Sequence, residues 1–342
     1  MKIAIINDTH FGARNDSSLF LEYFLDFFEN QFFPYLTENN IHEVLHLGDL
    51  MDRRKYVNFS TLSEVKRRFF DVFDSNKLNL HMILGNHDTF YRNTNEINSP
   101  SELFRGYDFF HLYEEPTTLQ FDGLSLSMIP WICKQNTDQI VQFLNQCKSP
   151  IICGHFELNG YEVMRGIKFT HGMDDNILSR FEKVLSGHFH NKSTQKNVYY
   201  LGTQYQITFS DLEDMKGFHV LDTETRELEF VENKNKMFYS LNPQSIIDDY
   251  SVLKNKYVKF CYSTDDDRKH VDNMLTKIEN ESPYDFTIVE SHNLNSEDDS
   301  ALDLSKDTMT IINEEIDNLE LDLNKNELKK IAHEVYMEAL SQ

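Results

Sequence analysis

Short apolar runs that stop at polar or glycine residues recur through the first half of the chain. Their length and their lack of helical spacing predict strands that are buried on both faces. These predicted strands occupy residues 2–8, 44–49, 80–84, 124–130, 151–154 and 183–187. Between them, apolar residues recur three and four positions apart, which predicts amphipathic helices at 18–36, 61–73 and 138–147. Strands that alternate with helices predict an α/β sandwich whose first strands are mainly parallel.

The pattern changes after residue 190. Apolar runs now follow one another without intervening helices, so we predict antiparallel strands at 199–203, 217–222 and 228–231. These strands complete a first domain, which we expect to span residues 1–240. A small βαβ module is predicted within residues 241–292, with its strands and helix at 257–262, 265–278 and 286–289.

The last part of the chain has a different composition. Residues 293–305 are rich in Asn, Ser and Asp, which is typical of a solvated linker. Residues 306–342 again show helical spacing, and Leu328, Ile331 and Val335 form an apolar stripe. This helical tail either packs on its own domain or binds a partner, and the linker before it favours a partner.

Composition excludes several classes of protein. Of the 342 residues, 40% are hydrophobic and 26% are charged, which excludes a wholly disordered chain. We see neither a membrane-spanning apolar stretch nor a leader peptide, and we therefore expect a cytoplasmic protein. The 4 cysteines lack the paired spacing of disulfide or thiolate-zinc sites. A net charge of -23 is unusual for a protein that binds nucleic acid.

Polar motifs stand at the ends of the predicted strands. They are Asp8-Thr9-His10, the stretch 48–52 (Gly-Asp-Leu-Met-Asp), the stretch 85–88 (Gly-Asn-His-Asp), Gly154-His155 and the stretch 187–190 (Gly-His-Phe-His). Ligands of α/β sheets gather beyond the carboxyl ends of the strands, so separate motifs can converge on one site. The alternative is a set of polar turn residues that cap helices, but this repeated spacing argues against it.

The residue types in these motifs are those of a site for divalent metals. Carboxylate, imidazole and amide oxygen suit manganese, iron or zinc. The predicted ligands are Asp8, His10, Asp49, Asn86, His155, His188 and His190. Two such ions about 3.5 to 4 Å apart can stabilise in-line displacement at phosphorus, and Asp49 is our candidate for the shared ligand. We predict that His87 faces the phosphate and that Asp52 orients His87.

Together these motifs resemble those of the calcineurin-like metallophosphoesterase superfamily, over residues 8–190. Within it the chain is similar to the nuclease subunit of the double-strand-break repair complex, the SbcD type, and especially to the phage recombination endonuclease subunit. The motif at 187–190, the small module and the helical tail carry this closer similarity. The resemblance implies a two-sheet sandwich flanked by helices, followed by a capping module that contacts DNA.

The resemblance also implies how the ligands divide between two metals. Asp8, His10, Asp49 and His190 would hold one ion, and Asp49, Asn86, His155 and His188 the other. His87 would be the catalytic histidine. Several members of the family have histidine where this chain has Asp52, which leaves the partner of His87 open.

These features lead us to expect a DNA nuclease that acts in recombination and DNA repair. It would use two divalent metal ions, manganese first and magnesium, iron or zinc as alternatives, as a duplex-end exonuclease and single-strand endonuclease. Its expected partners are DNA, a coiled-coil ATPase held by the helical tail, and a second copy of the chain in a homodimer. No membrane is involved, and the location is the host cytoplasm if a phage encodes it.

Two other functions stay open. One is a phosphomonoesterase or nucleotide phosphodiesterase with the same metal site, and the other is a mainly structural subunit that tethers DNA ends. Arg53, Arg54 and Lys55 are candidates for contact with a DNA backbone, although a solvated charged face also explains them.

Overall fold

The computed structural model describes residues 1–164, 167–170 and 172–291. Beyond these it describes eight residues, which are Ile312, Asn313, Ile316, Lys325, Leu328, Lys329, Ile331 and Ala332. The chain divides into two compact units. The first comprises Met1–Tyr205 and Glu213–Asn235, and the second comprises Gln206–Leu212 and the chain from Lys236 onward. Among the described residues, no helix has the length and apolar character needed to cross a membrane.

The first unit contains two six-stranded sheets. In the first sheet the strand order is Leu228–Glu232, Gly217–Asp222, Lys2–Ile6, Glu43–His46, Asn79–Ile83 and Phe110–Tyr113. Its last four strands are parallel, and the first two pair antiparallel, as the sequence predicted for this part of the chain. The outer strand Phe110–Tyr113 was not predicted, because Phe110 is its only buried residue and the strand lacks a long apolar run.

The second sheet has a similar plan. Its strand order is Ser193–Gln195, Val198–Tyr200, Lys183–Ser186, Ile151–Gly154, Leu124–Ile129 and Thr117–Phe121. The middle four strands are parallel, and an antiparallel strand closes each edge. The strand Val198–Tyr200 pairs antiparallel with Ser193–Gln195, as predicted, but it pairs parallel with Lys183–Ser186 on its other side, which was not predicted.

The two sheets face each other across a shared apolar core. Along a strand alternate side chains point to opposite faces. Ile3 and Ile5 therefore enter the core between the sheets together with Leu126 and Leu185 of the second sheet. The other face of the second sheet packs against the helix Thr137–Gln146 through Ile140 and Leu144. Burial on both faces explains the continuous apolar runs of the central strands.

Helices rich in phenylalanine accompany the first sheet. The first is α-helical over Ser18–Phe27, π-helical over Phe28–Phe32 and α-helical again over Phe33–Glu38. Pro34 follows the π turn, and because proline has no N–H, the regular helical bonding pattern cannot continue through it. The second runs over Phe59–Val65, Lys66–Phe70 and Asp71–Ser75, again with a central π segment. Phe28 and Phe69 pack edge to face with ring centroids 4.7 Å apart.

Shorter elements complete the first unit. These are the left-handed turn Ala13–Asp16, the helix Ser99–Phe104, the hairpin strands Glu162–Met164 and Ile167–Lys168, and a 3₁₀ turn at Asp175–Leu178. None of them carries the long apolar periodicity on which the sequence predictions depend.

The second unit contains the predicted βαβ module. Its strands Tyr257–Ser263 and Asp285–Ser291 are parallel, and the helix Arg268–Asn280 packs on them through Val271, Met274 and Ile278. A third strand, Phe238–Leu241, joins this sheet, so the contacts of the second unit begin before residue 240. Within residues 206–291, this unit also contains 3₁₀ turns at Phe209–Asp211 and Tyr250–Leu253.

The predicted linker at 293–305 and the predicted tail residue Val335 lie outside the described residues. Leu328 and Ile331 have helical conformation, and Ile331 is 51% exposed. Ile316 is buried.

Candidate metal centre

The predicted ligands meet beyond the carboxyl ends of the parallel strands. Asp8 follows Lys2–Ile6, Asp49 follows Glu43–His46, and Asn86 follows Asn79–Ile83 in the first sheet. In the second sheet, His155 follows Ile151–Gly154 and His188 follows Lys183–Ser186. Because the sheets pack face to face, loops far apart in sequence come together at one end of the sandwich, as expected for this class of fold.

One cluster consists of Asp8, His10 and His190. The Nε2 atoms of His10 and His190 lie 3.1 Å apart, and His10 Nε2 lies 3.9 Å from an oxygen of Asp8. Asp8 is fully buried, and its carboxylate accepts the main-chain N–H of His188 at 3.0 Å. Two imidazole nitrogens that face each other beside a buried carboxylate leave lone pairs for a cation.

The second cluster consists of Asp49, His155 and His188, with Asn86 beside them. Asn86 Oδ1 lies 3.0 Å from His155 Nε2 and 2.9 Å from His188 Nδ1. His155 Nδ1 donates to the carbonyl of Leu47 at 2.7 Å, which directs the Nε2 lone pair inward. Donors and acceptors of this kind suit a divalent ion of intermediate hardness.

Asp49 lies between the two clusters. Its Oδ2 atom is 3.3 Å from His155 Nε2 and 3.8 Å from His10 Nε2. Its Oδ1 atom accepts the main-chain N–H of His87 at 2.7 Å, which fixes the carboxylate. Asp49 thus occupies the position that the sequence analysis assigned to a shared ligand.

The electrostatics of the centre favour positive charge. Burial lowers the pKa of His10, but Asp52, Asp49 and Asp8 outweigh burial and raise the pKa to about 9. Burial likewise lowers the pKa of His155, and Asp49 and Asp8 raise it to about 9. Burial raises the pKa of Asp49, yet His155, His87 and His10 hold that pKa well below its usual range. The buried carboxylates therefore attract cations, and the donor set fits two divalent metals.

The backbone of the centre is strained. Asp8, His10, Asp49 and His188 have φ values of 48°, 42°, 58° and 85°, in a region that L-residues rarely adopt. Each such residue costs roughly 1–3 kcal/mol and persists only where the surrounding structure holds it. The sequence could not show this strain, because the residues themselves are not glycine.

The glycines of the motifs create room for close approach. A Cβ on Gly85 would lie 2.2 Å from Asp49 Oδ1, and a Cβ on Gly48 would lie 2.7 Å from His155 Nδ1. Gly48 also has a φ of +93°. Glycine is required at both positions because any side chain would displace a ligand.

Asp88 holds the loops of the first sheet together. Its buried carboxylate accepts the main-chain N–H groups of Gly85, Asp49 and Leu50 at 2.8 to 2.9 Å. Burial and then the charge of Asp49 raise the pKa of Asp88 to about 7. These main-chain bonds agree with a structural role, which is the ordinary interpretation of an aspartate in a turn.

Comparison with known proteins matches this geometry. The family model named calcineurin-like phosphoesterase matches residues 1–192. This chain belongs to the calcineurin-like phosphoesterase family. The phosphoesterase is 31% identical over 346 residues to exonuclease subunit 1 of Enterobacteria phage T4, with 99% of each chain covered. It is 23% identical to a subunit of the nuclease SbcCD of Staphylococcus epidermidis, with 76% of this chain and 75% of that protein covered.

Among solved structures, a novel archaeal phosphodiesterase aligns with 68% of this phosphoesterase and 100% of its own chain. The identity is 12% and the TM-score is 0.32.

His87 and Asp52 lie beside the first cluster of the phosphoesterase. His87 Nδ1 lies 2.5 Å from the main-chain carbonyl of Asp52. The carboxylate of Asp52 instead lies 3.4 Å from His10 Nδ1. The sequence predicted that the carboxylate would orient His87, and the structure corrects this detail: the short loop turns the carbonyl toward His87 and the side chain toward His10. Burial lowers the pKa of His87 below its usual value, and the neighbouring His10 adds to that effect.

The three basic candidates occupy different environments. Arg53 contacts Asn15 and lies 3.6 Å from Asp16. Arg54 is half-buried, and its Nη1 atom has no hydrogen-bond partner. Lys55 is exposed, with Nζ 5.7 Å from the centre of the Phe90 ring. Of the three, Lys55 is the exposed one, whereas Arg53 already contacts acidic and amide groups of the protein.

Sequence reasoning missed Trp131. Its ring centroid lies 5.5 Å from that of His188 and 6.0 Å from that of His155. The residue follows the strand Leu124–Ile129 at the same end of the sandwich as the ligands. That position is the signal that would have found it, because residues just beyond parallel strands face the site.

Proposed function

We propose that this phosphoesterase is a two-metal DNA nuclease. The observation that supports it most directly is the pair of ligand clusters that meet at Asp49, with His87 beside them. The two relatives are named as subunits of an exonuclease and of the nuclease SbcCD, which favours a nucleic-acid phosphodiester as substrate.

The chain's own residues have distinct tasks in this proposal. Asp8, His10, Asp49 and His190 would bind one ion, and Asp49, Asn86, His155 and His188 the other. When bound, the two ions would supply Lewis-acid stabilisation of charge at phosphorus, and manganese is our first candidate. His87 Nδ1 donates a hydrogen bond to the main-chain carbonyl of Asp52. Nε2 is therefore the atom that can hold or deliver a proton at the leaving oxygen.

A substrate comparison tests the proposal. Purified protein with manganese should cleave end-labelled duplex DNA and single-stranded circles, and a chelator should stop cleavage. His87→Ala should reduce cleavage by about 10²- to 10⁴-fold, the range of a general acid or base. Fast turnover of nitrophenyl phosphate without cleavage of DNA would refute the nuclease and favour a phosphomonoesterase.

A test in vivo separates catalysis from structure. If His87→Ala fully complements a recombination-deficient host, hydrolysis is dispensable and the chain acts as an end-tethering subunit. Loss of complementation by a variant that still assembles would support the nuclease.

We also propose that the chain works with partners. The names of both relatives describe subunits, so an assembly with a second protein is expected. We infer that residues 306–342 bind a coiled-coil ATPase, that residues 241–292 form the DNA-contacting cap, and that the chain forms a homodimer. Deletion of 306–342 should abolish co-purification with the ATPase and spare hydrolysis of DNA, and unchanged co-purification would refute the tail's role. Light scattering of the purified chain would test the homodimer.

A further inference from the structure

Two loops at the edge of the metal centre are joined to each other. One follows His87 and Asp88 and includes Tyr91, and the other begins at Trp131. Asn95 Nδ2 donates to the carbonyl of Trp131 at 3.0 Å, and the N–H of Gln135 donates to the carbonyl of Asn93 at 3.2 Å. The joined loops therefore form one surface beside the ligands.

We call Phe90, Tyr91, Arg92 and Trp131 the aromatic rim. Phe90 and Tyr91 pack edge to face at 4.7 Å, and Tyr91 is 49% exposed. Trp131 is half-buried, and its indole nitrogen is among the buried atoms. Its exposed surface therefore excludes the polar edge of the ring and leaves carbon surface for contact. Aromatic surface that remains open to solvent beside a polar site fits an apolar, planar partner.

The rim is rigid at Trp131. The main-chain N–H of Trp131 donates to the carbonyl of Leu84 at 2.7 Å, and its carbonyl accepts the side-chain amides of Asn95 and Asn136 at 3.0 Å. These bonds fix the main chain of Trp131, and the neighbouring rings of His188 and His155 restrict its indole, so that contact with a ligand costs little conformational entropy.

Positive charge accompanies the rim. Arg92, Lys134 and Lys55 are exposed, and no ion pair is present at any of them within the part of the chain that the structure describes. Burial lowers the pKa of Arg54, and the positive charge of Arg92 lowers it further. The two guanidinium groups therefore lie close enough to repel each other. In a chain with a net charge of -23, unpaired cations beside aromatics fit a partner that is both planar and anionic.

We propose that the aromatic rim binds unpaired nucleotides of the strand being cleaved, with bases stacked on Tyr91 and Trp131 and a phosphate beside Arg92. Single-stranded nucleic acid has the required chemistry, because every base has a π face and every linkage carries a negative charge. The proposal rests on the nuclease function and names its substrate more closely: a strand whose bases are unstacked next to the metals.

Trp131 gives a direct readout, since it is the only tryptophan in the chain. Binding is measured with His87→Ala protein, metal-loaded, so that the strand is not consumed. Oligothymidylate should quench Trp131 fluorescence on titration, and an abasic strand with the same number of phosphates should bind more weakly without that quenching. Equal quenching by both strands, or none by oligothymidylate that does bind, would overturn base stacking on Trp131.

Substitutions of Tyr91 test the second of the two rings on which we propose that bases stack. Tyr91→Ala should raise the dissociation constant for oligothymidylate by about 5- to 150-fold, the value of one stacked base, and leave binding of the abasic strand unchanged. Tyr91→Phe should retain binding because it keeps the ring. Ile97→Ala, at a similarly exposed aliphatic residue of the same loop, should have no effect.

The outcomes separate this proposal from the nuclease itself. If Tyr91→Ala binds and cleaves single strands as the wild type does, the rim is not a binding surface and the nuclease assignment stands. If neither strand binds and DNA is not cleaved, the nuclease assignment itself fails.

Discussion

Two groups of histidines and carboxylates differ in how their polar atoms meet, one at the metal centre where both sheets end and the other on three strands of the first sheet. At the metal centre, His10 Nε2 faces His190 Nε2. The side-chain oxygen of Asn86 faces the imidazoles of His155 and His188. The second group, the edge cluster, consists of Glu43, Asn79, His81, His111 and Tyr113.

In the edge cluster, Glu43, Asn79, His81 and Tyr113 form hydrogen bonds with one another. His81 Nε2 lies 2.8 Å from a Glu43 oxygen, and His81 Nδ1 lies 2.8 Å from the hydroxyl of Tyr113. Asn79 donates to the other oxygen of Glu43 at 3.0 Å. None of these residues has a left-handed φ, whereas four ligands of the metal centre do.

The difference shows what distinguishes a metal site from a polar cluster of the same composition. In the edge cluster, hydrogen-bond donors meet acceptors, so these residues satisfy one another without an added ion. Where ligand nitrogens and oxygens crowd together on strained backbone, the arrangement costs free energy that a bound cation offsets.

Of the substitutions that test this contrast, Asp49→Asn should have the largest effect on DNA cleavage and manganese binding. The neutral amide removes the negative charge common to both clusters, and its NH₂ group cannot replace the lost oxygen. Removal of one preorganised electrostatic group costs about 10²–10³-fold, and Asp49 serves both clusters, so we expect a loss of DNA cleavage at the upper end of that range or beyond. Calorimetry should show weaker binding of manganese at both sites.

Glu43→Gln is the control for Asp49→Asn, because it makes the same chemical change in the edge cluster. It should leave cleavage and manganese binding unchanged. Equal losses in the two variants would mean that the distinction between the clusters is wrong.

Gly85→Ala should have the next largest effect. The added Cβ would lie 2.2 Å from Asp49 Oδ1, so the carboxylate must move. A displacement near 1 Å at a reacting centre costs about 10²-fold in rate, which is the loss of kcat/KM that we expect. Gly106→Ala is the matched control, since a Cβ there meets no atom within 4 Å. If both variants are active, Asp49 has more freedom than its contacts indicate.

The elements that sequence reasoning predicted correctly are those with long apolar runs. Gly217–Asp222 was predicted at both ends, because Phe218, Val220 and Leu221 form an apolar run that only His219 interrupts. The motifs also indicated which end of the strands carries the site, because their polar residues directly follow buried strands.

Other features depend on contacts that no local pattern contains. The strand Val198–Tyr200 pairs parallel because the chain returns past Lys183–Ser186, a long-range choice that its own residues do not encode. The orientation of the Asp52 side chain toward His10 depends on the loop's backbone. Trp131 belongs to no motif, and only its position after the strand Leu124–Ile129 could have indicated it.

Asp52→Ala tests how the two histidines of the first cluster are held. It removes the carboxylate beside His10 and keeps the main-chain carbonyl that contacts His87. Loss of the group that orients a metal-binding histidine typically costs about 10- to 100-fold in metal affinity. Calorimetry should show this loss of manganese affinity, whereas kcat at saturating manganese should fall far less. A large fall in kcat with unchanged metal affinity would mean that the carboxylate acts on His87.

The smallest effect should come from pH at the edge cluster. The hydrogen bond with His81 lowers the pKa of Glu43, burial opposes it, and Asn79 adds to the lowering. A carboxyl whose folded pKa is depressed stabilises the fold above its unfolded pKa, and that stability is lost as pH falls through the folded pKa. Because Glu43 remains partly open to solvent, the contribution should be below about 1 kcal/mol.

Urea unfolding of wild type and Glu43→Gln as a function of pH measures that contribution. The wild type should be slightly more stable at pH 6, and the difference should vanish once the pH falls below the ordinary range of a glutamate. A difference that stays constant down to acidic pH would show that Glu43 acts through packing and neutral hydrogen bonds. The charge of Glu43 would then contribute nothing to the stability of the edge cluster.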